Sequence, residues 1–368
     1  MNKDVIYLPE KAIRAAAEKF GTPFFLYEEK RLRANAKRFK NAFRKHFKNF
    51  VPLYAVKANS NPHVIKIIVE EGYGFDASSE FESYLAKTIG ATGMYTGNYN
   101  PVEELRAAKK SGMILNLDDI SMIPTLKKIG VPETLSFRIN PGIGKGGTEK
   151  LVFGGPDAKY GIPFEKAAEA YKQAKKLGVK HFGIHMMTGS NVMEEVYFGE
   201  IVTKLLNVVA DIKKKTGIEI EFMNMGGGFG VPYRPEQKSL DIEKVARIVK
   251  EAFDTVCKKT GIKAPRLMAE PGRYLTADAG WLVGRVQVIK DGYKKFVGVD
   301  AGSNDLPRPA TYGAYHHATL IPVGRKAGTK TELVSVVGRI CENSDQLARD
   351  RKLPLVKVGD LIAIHNAG

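Results

Sequence analysis

Val51-Pro-Leu-Tyr-Ala-Val-Lys57-Ala-Asn59 sets the pattern on which the whole chain is built. An apolar run with strand character, Val51 to Val56, delivers one lysine just before the polar Asn59-Ser-Asn-Pro62. A lysine at the inner end of a buried strand is expected to be partly desolvated, which disfavours its charged form and leaves a nucleophilic amine. Such an amine can form a Schiff base with an aldehyde cofactor. The plainer reading is a lysine that snorkels from an ordinary strand end. The surrounding chain decides between them.

Similar strand-like runs end near Lys57, Ala77, Thr96, Asn116, Asn140, Met187, Met225 and Glu270. Between them lie stretches of helical periodicity: Pro62–Glu71, Glu80–Ile89, Pro101–Ser111, Ile120–Gly130, Pro163–Leu177, Glu194–Thr216 and Ile242–Thr260, with one more, Glu29–Phe47, ahead of the first. Eight strands alternating with helices over about 245 residues is the arithmetic of a (β/α)8 TIM barrel. An open doubly wound sheet competes, but it carries its glycine fingerprint after the first strand. Here the main glycine cluster, Gly226 to Gly230, follows the seventh. The barrel is assigned to residues 25–275.

After Tyr274 the texture changes to short β-rich runs at Trp281–Ile289, Lys295–Val299, Ala318–Val323, Thr331–Val337 and Leu361–Ile364. Turn signals separate them and helical periodicity is almost absent, which predicts a C-terminal antiparallel β-domain. Residues 276–368 are assigned to it together with 1–24, which carry a helix at Pro9–Lys19 and lead into a short strand, Phe24–Tyr27.

The net charge is +17, and a basic surface can attract nucleic acid or a membrane. The lysines, however, are scattered along helices, and the densest cluster, Lys30 to Lys48, keeps apolar residues at helical intervals. That is a solvated helix face, with no nucleic-acid footprint, and the field would also suit an anionic cofactor or substrate. Cys257 and Cys341 lack metal-type spacing and imply no disulfide framework, so a reduced, cytoplasmic setting and no metal are expected. No apolar stretch approaches the roughly 20 residues of a membrane span, and the first residues lack the order of a signal peptide.

In a barrel, chemistry sits at the C-terminal strand ends, with phosphate often held after strands seven and eight. Those ends carry polar groups that strand packing does not need: Lys57, Asp76, Arg138, Asn140, His185, Ser190, Glu270 and Arg273. In Gly226-Gly227-Gly228 no side chain keeps a phosphate from the backbone N–H groups. A carboxylate such as Glu270 can keep a pyridine nitrogen protonated and so strengthen the ring as an electron sink. It can equally form a strand-end salt bridge with Arg273. Lysine, glycines and carboxylate together describe a pyridoxal 5'-phosphate site, with Lys57, Asp76, His185, Ser190, Gly226, Gly227, Gly228, Glu270, Gly272 and Arg273 as candidate cofactor-binding residues.

Seven motifs also carry a family resemblance: Gly21-Thr-Pro-Phe-Phe-Leu-Tyr27, Tyr54-Ala-Val-Lys-Ala-Asn59, Arg138-Ile-Asn-Pro141, Gly226-Gly-Gly-Phe-Gly230, Glu270-Pro-Gly-Arg273, Arg308-Pro-Ala-Thr-Tyr312 and Cys341-Glu-Asn-Ser-Asp345. In these the chain resembles the fold-type III pyridoxal-phosphate-dependent decarboxylases, and among them the diaminopimelate decarboxylases. The resemblance implies an alanine-racemase-like barrel with a C-terminal β-domain and a homodimer with shared sites. It implies Lys57 as the cofactor lysine and Gly226 to Gly228 with Ser190 at the phosphate. Glu270 falls at the pyridine nitrogen, and Arg273, Arg308 and Tyr312 at the substrate's distal groups. Cys341, a candidate catalytic proton donor, and Glu342, at the substrate, would come from the partner subunit. The implied reaction is decarboxylation of meso-2,6-diaminopimelate to L-lysine and CO2. A related decarboxylase of ornithine, lysine or carboxynorspermidine, or a non-catalytic cofactor-binding homologue, is the alternative.

The sequence departs from the family in two places. The usual histidine of His-x-Gly-Ser, which stacks on the cofactor ring, is Met187 here, and His185 lies two residues earlier on the same strand face. Either Met187 covers the ring through its sulfur or His185 substitutes. The family also continues past the last strand into a glycine-rich segment with a tyrosine, of which this sequence, ending at His365-Asn-Ala-Gly368, is expected to be short.

Overall fold

The computed structural model describes residues 2–146 and 152–368. The chain divides into two compact units. One is formed by Leu32–Gly230 and Leu240–Leu275, the other by Met1–Arg31, Val231–Ser239 and Thr276–Gly368. Strand β1 (Phe24–Tyr27), most of which falls within the range assigned to the barrel, pairs with a strand of the second unit. No helix among the described residues is long and apolar enough to cross a membrane.

The larger unit carries β2 (Val51–Ala55), β3 (Gly74–Ala77), β4 (Gly93–Tyr95), β5 (Ile114–Leu117), β6 (Thr134–Asn140), the two-residue β7 (Ile162–Pro163), β8 (His181–His185), β9 (Phe222–Asn224) and β10 (Arg266–Ala269). Apart from β7, which only flanks β6, these strands pair in parallel in the order β2-β3-β4-β5-β6-β8-β9-β10, and β10 returns to β2. The eight-stranded barrel expected from the sequence is therefore closed. Leu53, Met94, Phe222 and Met268, from four of its strands, pack into one buried cluster. Two residues beyond Phe222, on the same face of β9, the chain places the polar Asn224, and the packed layer gives way to the chemical one.

The helices start and stop where local chemistry dictates. Glu80–Ile89 begins with the Ser79 hydroxyl accepting the Glu82 N–H (3.3 Å), while the Glu82 carboxylate accepts from Ser78 N–H (2.5 Å). Asp241 caps Ile242–Thr260 by accepting the Lys244 N–H at 3.0 Å. The helix expected over Ile120–Gly130 is broken. Pro124 lies inside a 3-10 stretch, Ile120–Thr125, and only Leu126–Ile129 is α-helical, because proline removes a donor and crowds the preceding turn.

The smaller unit carries β11 (Gly280–Asp291), β12 (Lys295–Val299), β13 (Ala318–Ile321), β14 (Thr331–Val337), β15 (Gln346–Pro354) and β16 (Leu361–Ile364), in the order β13-β16-β11-β12-β14-β15, with β1 also on β11. Alternation along β11 feeds two cores. Trp281 and Val283 pack with Ile13 and Ala17 of the helix Glu10–Phe20, while Leu282 and Val286 pack with Val297, Val334 and Ile362. Two expectations need correction. The sheet is mixed, since β12 and β14 run parallel. Strand β15 is not predicted from sequence: its run Gln-Leu-Ala-Arg-Asp-Arg-Lys-Leu-Pro carries a block of four consecutive charges, and only Leu347, Ala348 and Leu353 face the core.

Candidate active site

Strand β2 ends at Ala55, and Lys57 stands on the single 3-10 turn, Val56–Ala58, that follows. Parallel register sets Ala55 beside Asp76 on β3, so the lysine Nζ comes within 2.6 Å of Asp76 Oδ2. Asp76 is fully buried, whereas half of the Lys57 side chain is open. The Thr96 hydroxyl, from the end of β4, donates to the other Asp76 oxygen. Burial alone favours the neutral amine, as the sequence suggested, but the Asp76 and then the Glu270 carboxylates outweigh it and hold the Lys57 pKa above its ordinary value. The shift runs opposite to the one expected from sequence. The cause lies 19 residues away and is visible only once β2 and β3 are paired.

Glu270 follows β10 and is buried. Asn224 Nδ2 donates to it at 2.6 Å, and His185 Nε2 lies 3.3 Å from it. Burial pushes its pKa up, but His185, Lys57 and Asn224 together pull it below the usual carboxylate value, so it is held as an anion. Asn116, from β5, stands with its amide nitrogen 3.4 Å from His185 Nδ1. His185 is thus a buried partner of Glu270. Arg138 donates to Asn98 Oδ1 and to the Met187 carbonyl, both at 3.1 Å, and lies 4.4 Å over the Tyr160 ring.

The loop after β9 is packed so closely that only glycine fits. A Cβ on Gly226 would meet the Met186 carbonyl oxygen at 2.2 Å, one on Gly227 the Glu270 oxygen at 2.5 Å, and one on Gly228 the Gly189 oxygen at 2.7 Å. Phe229 pins the loop from behind, stacked on Phe198 with centroids 4.6 Å apart and edge-on to Phe39. The Gly227 N–H donates to Met187 Sδ at 3.3 Å, a weak acceptor that a phosphate oxygen can displace. Met187, half-buried, is therefore the side chain at the glycine loop, while His185 is committed to Glu270. Arg273 Nη2 donates to Ser190 Oγ at 3.2 Å, and a Cβ on Gly272 would crowd Ala55 and Ala58. Lys57, Asp76, His185 and Glu270 thus form one linked set, and Ser190 is tied to Arg273.

The residues singled out in the smaller unit are arranged differently. Arg308 begins the helix Arg308–Tyr312, lies 4.4 Å over the Tyr233 ring and donates to His316 Nε2 at 2.8 Å. Tyr312 is at the exposed end of that helix, and Cys341 and Glu342 are exposed on the turn between β14 and β15. The buried Asp345 secures the turn, its carboxylate accepting the N–H groups of Ser303 (2.6 Å) and Ile340 (2.8 Å). Thr96, Asn116, Asn224 and His316 are not among the candidate site residues read from sequence, and Asp345 enters there only as the end of the Cys341–Asp345 motif. Asn224 carried a usable signal, a polar residue in the middle of Phe-Met-Asn-Met.

These features fit pyridoxal phosphate: an amine at a strand end, a buried anionic carboxylate within its electrostatic reach, and a glycine loop with no room for side chains. A parallel barrel with that set at its strand ends defines the pyridoxal-phosphate enzymes of the alanine-racemase-like fold, and residues 30–277 match the family described as the pyridoxal binding domain of pyridoxal-dependent decarboxylases. The chain is 40% identical over 357 residues to a diaminopimelate decarboxylase of Methanothermobacter thermautotrophicus, covering 96% of this chain and 83% of that one. Among solved structures it resembles diaminopimelate decarboxylase of Methanocaldococcus jannaschii in complex with L-lysine (TM-score 0.87, 33% identity, 97% of this chain and 84% of that one). It also resembles the Helicobacter pylori enzyme complexed with L-lysine (TM-score 0.87, 28% identity, 97% and 88%). The chain belongs to the diaminopimelate decarboxylase family of the pyridoxal-dependent decarboxylases.

Proposed function

We propose that the protein decarboxylates meso-2,6-diaminopimelate to L-lysine and CO2, as a cytoplasmic homodimer in which Cys341 and Glu342 of one subunit serve the Lys57 site of the other. The observation that carries this reading is the 2.6 Å pairing of the half-open Lys57 amine with buried Asp76, beside an anionic Glu270. Pyridoxal phosphate supplies an aldehyde to Lys57 and a ring that accepts the electron pair released when the bond between Cα and the carboxylate breaks.

The chain's own residues do the rest. Lys57 Nζ must lose a proton before it acts as a nucleophile, and Asp76 Oδ2 is the acceptor already in contact. Glu270 holds a proton at the pyridine nitrogen, with Asn224 and His185 keeping its carboxylate oriented. Gly226, Gly227, Gly228 and Ser190 bind the phosphate. Arg273, Arg308 and Tyr312 bind the far end of the substrate, where a guanidinium can pair bidentately with the second carboxylate, and Glu342 takes up its ammonium. When CO2 has left, Cys341 Sγ or Lys57 Nζ delivers one proton to Cα, which completes L-lysine.

Release of CO2 from diaminopimelate isomers, lysine and ornithine, with cofactor added, tests the reading. meso-Diaminopimelate should be consumed fastest. Preferred turnover of ornithine or lysine, neither of which presents a distal carboxylate, would overturn the substrate assignment. Cofactor binding without any CO2 would overturn the assignment of an activity.

A further inference from the structure

A guanidinium at the end of a long stem has many rotamers, and fixing one costs entropy unless the protein has already done so. Arg308 is fixed on two sides within its own unit. Its guanidinium carbon lies 4.4 Å over the Tyr233 ring, and Nη1 donates to His316 Nε2 at 2.8 Å. His316 is fully buried, and its other nitrogen, Nδ1, lies 2.8 Å from the backbone carbonyl oxygen of His365. That oxygen can only accept, so Nδ1 carries the proton. Arginine can only donate, so Nε2 offers a lone pair. The two partners together select one neutral tautomer. Tyr233 meets the same imidazole edge-on, with centroids 5.0 Å apart, so one tyrosine braces both arginine and histidine. The carbonyl that anchors the imidazole is itself fixed, because the His365 N–H donates to the His317 carbonyl at 2.8 Å.

We infer that His316 is a positioning residue for substrate recognition: from His365 it receives its tautomer and orientation, and through Nε2 it aims the Arg308 guanidinium at the substrate's distal carboxylate. The inference rests on the proposed assignment of Arg308 to that carboxylate. A full-length holoenzyme series separates the two. Arg308→Ala should raise KM for meso-diaminopimelate strongly with the cofactor still bound. If it does not, the assignment of Arg308 falls. His316→Leu should raise KM about tenfold or more, as expected when a hydrogen bond to a charged group is lost, with kcat within about threefold. His316→Gln can both accept from Arg308 and donate to the His365 carbonyl, and it should restore KM to within about threefold of wild type. In the Arg308→Ala background His316→Leu should add nothing, because its effect passes through the arginine. His316→Met carries the same expectation if the leucine variant fails to fold. An unchanged KM in the apolar variant, no rescue by glutamine, or a full extra loss in the Arg308→Ala background would overturn the inference while leaving the Arg308 assignment intact.

Discussion

At the strand ends of the barrel Asp76 and Glu270 are buried and partnered, and Lys57 is held 2.6 Å from a carboxylate, whereas Cys341 and Glu342 in the smaller unit stand exposed on a turn. Burying a charge without a partner is costly, so the barrel can keep its ionic groups only by pairing them within the chain. Their positions are therefore set before any ligand arrives. Exposed groups carry no such constraint, and they acquire a fixed orientation when something covers them. Arg308 stands between the two cases, because Tyr233 and His316 brace it from its own unit. On the proposed function the barrel holds the cofactor's partners together with Arg273, and the smaller unit adds Arg308, Tyr312, Cys341 and Glu342 to recognition and protonation.

The largest effect should follow from breaking the barrel set at its centre. Lys57→Ala removes both the cofactor's attachment point and one candidate proton donor, and a positioned proton donor alone typically contributes roughly 10^2–10^4-fold. Turnover should fall by at least that much, measured as CO2 release at saturating cofactor; activity within tenfold of wild type would show that another amine serves. Glu270→Gln comes next. It keeps the shape but removes the anion, and breaking a buried charge pair costs about 3–5 kcal/mol. The decline, about 10^2-fold or more, should fall on kcat while the cofactor remains bound. A change in KM alone would argue that Glu270 contacts substrate instead.

The exposed half of the comparison is sharpened by mixing subunits. If Cys341 serves the partner's site, random dimers of Lys57→Ala and Cys341→Ala chains should regain about a quarter of wild-type activity, since half are mixed and each of those holds one intact site. No recovery in verified mixed dimers would mean that each site is built from one chain.

The smallest effect is on stability. Burial first, then the neighbouring His317, pushes the His365 pKa down to about 3, and the Thr319 hydroxyl lies 2.9 Å from its Nε2. An unfolded histidine takes up a proton near pH 6.5, which the folded one refuses until far lower pH. Its contribution is intact above about pH 6.5 and shrinks as the pH falls from there towards 3, by at most about 1.4 kcal/mol per pH unit. Urea unfolding at pH 7.5 and pH 5 should show this loss, and His365→Asn should reduce it. An unchanged difference between the two pH values would assign the acid sensitivity elsewhere.

What was legible in the sequence follows from the same contrast. The eight barrel strands and the helices Glu80–Ile89 and Ile242–Thr260 were readable because apolar periodicity and caps are local signals. Strand β15 was not, because a strand at the end of a sheet whose middle is four consecutive charges has almost no period to read. Lys57 and Glu270 could be picked out as charges at strand ends, but their pairing, with Asp76 for the one and with Asn224 and His185 for the other, could not. Asn116, Asn224 and Thr96 look like ordinary polar residues until parallel register sets them against His185, Glu270 and Asp76. The direction of the Lys57 shift differs from the sequence expectation for that reason: desolvation is a property of one residue's place, but the opposing carboxylates come from other strands.

The most direct measurement is to load the protein with pyridoxal phosphate, reduce it with borohydride and map the labelled peptide. The account predicts one equivalent of cofactor per chain, fixed on Lys57 and absent from the Lys57→Ala protein. A label on any other lysine, or an equal label on the variant, would contradict it.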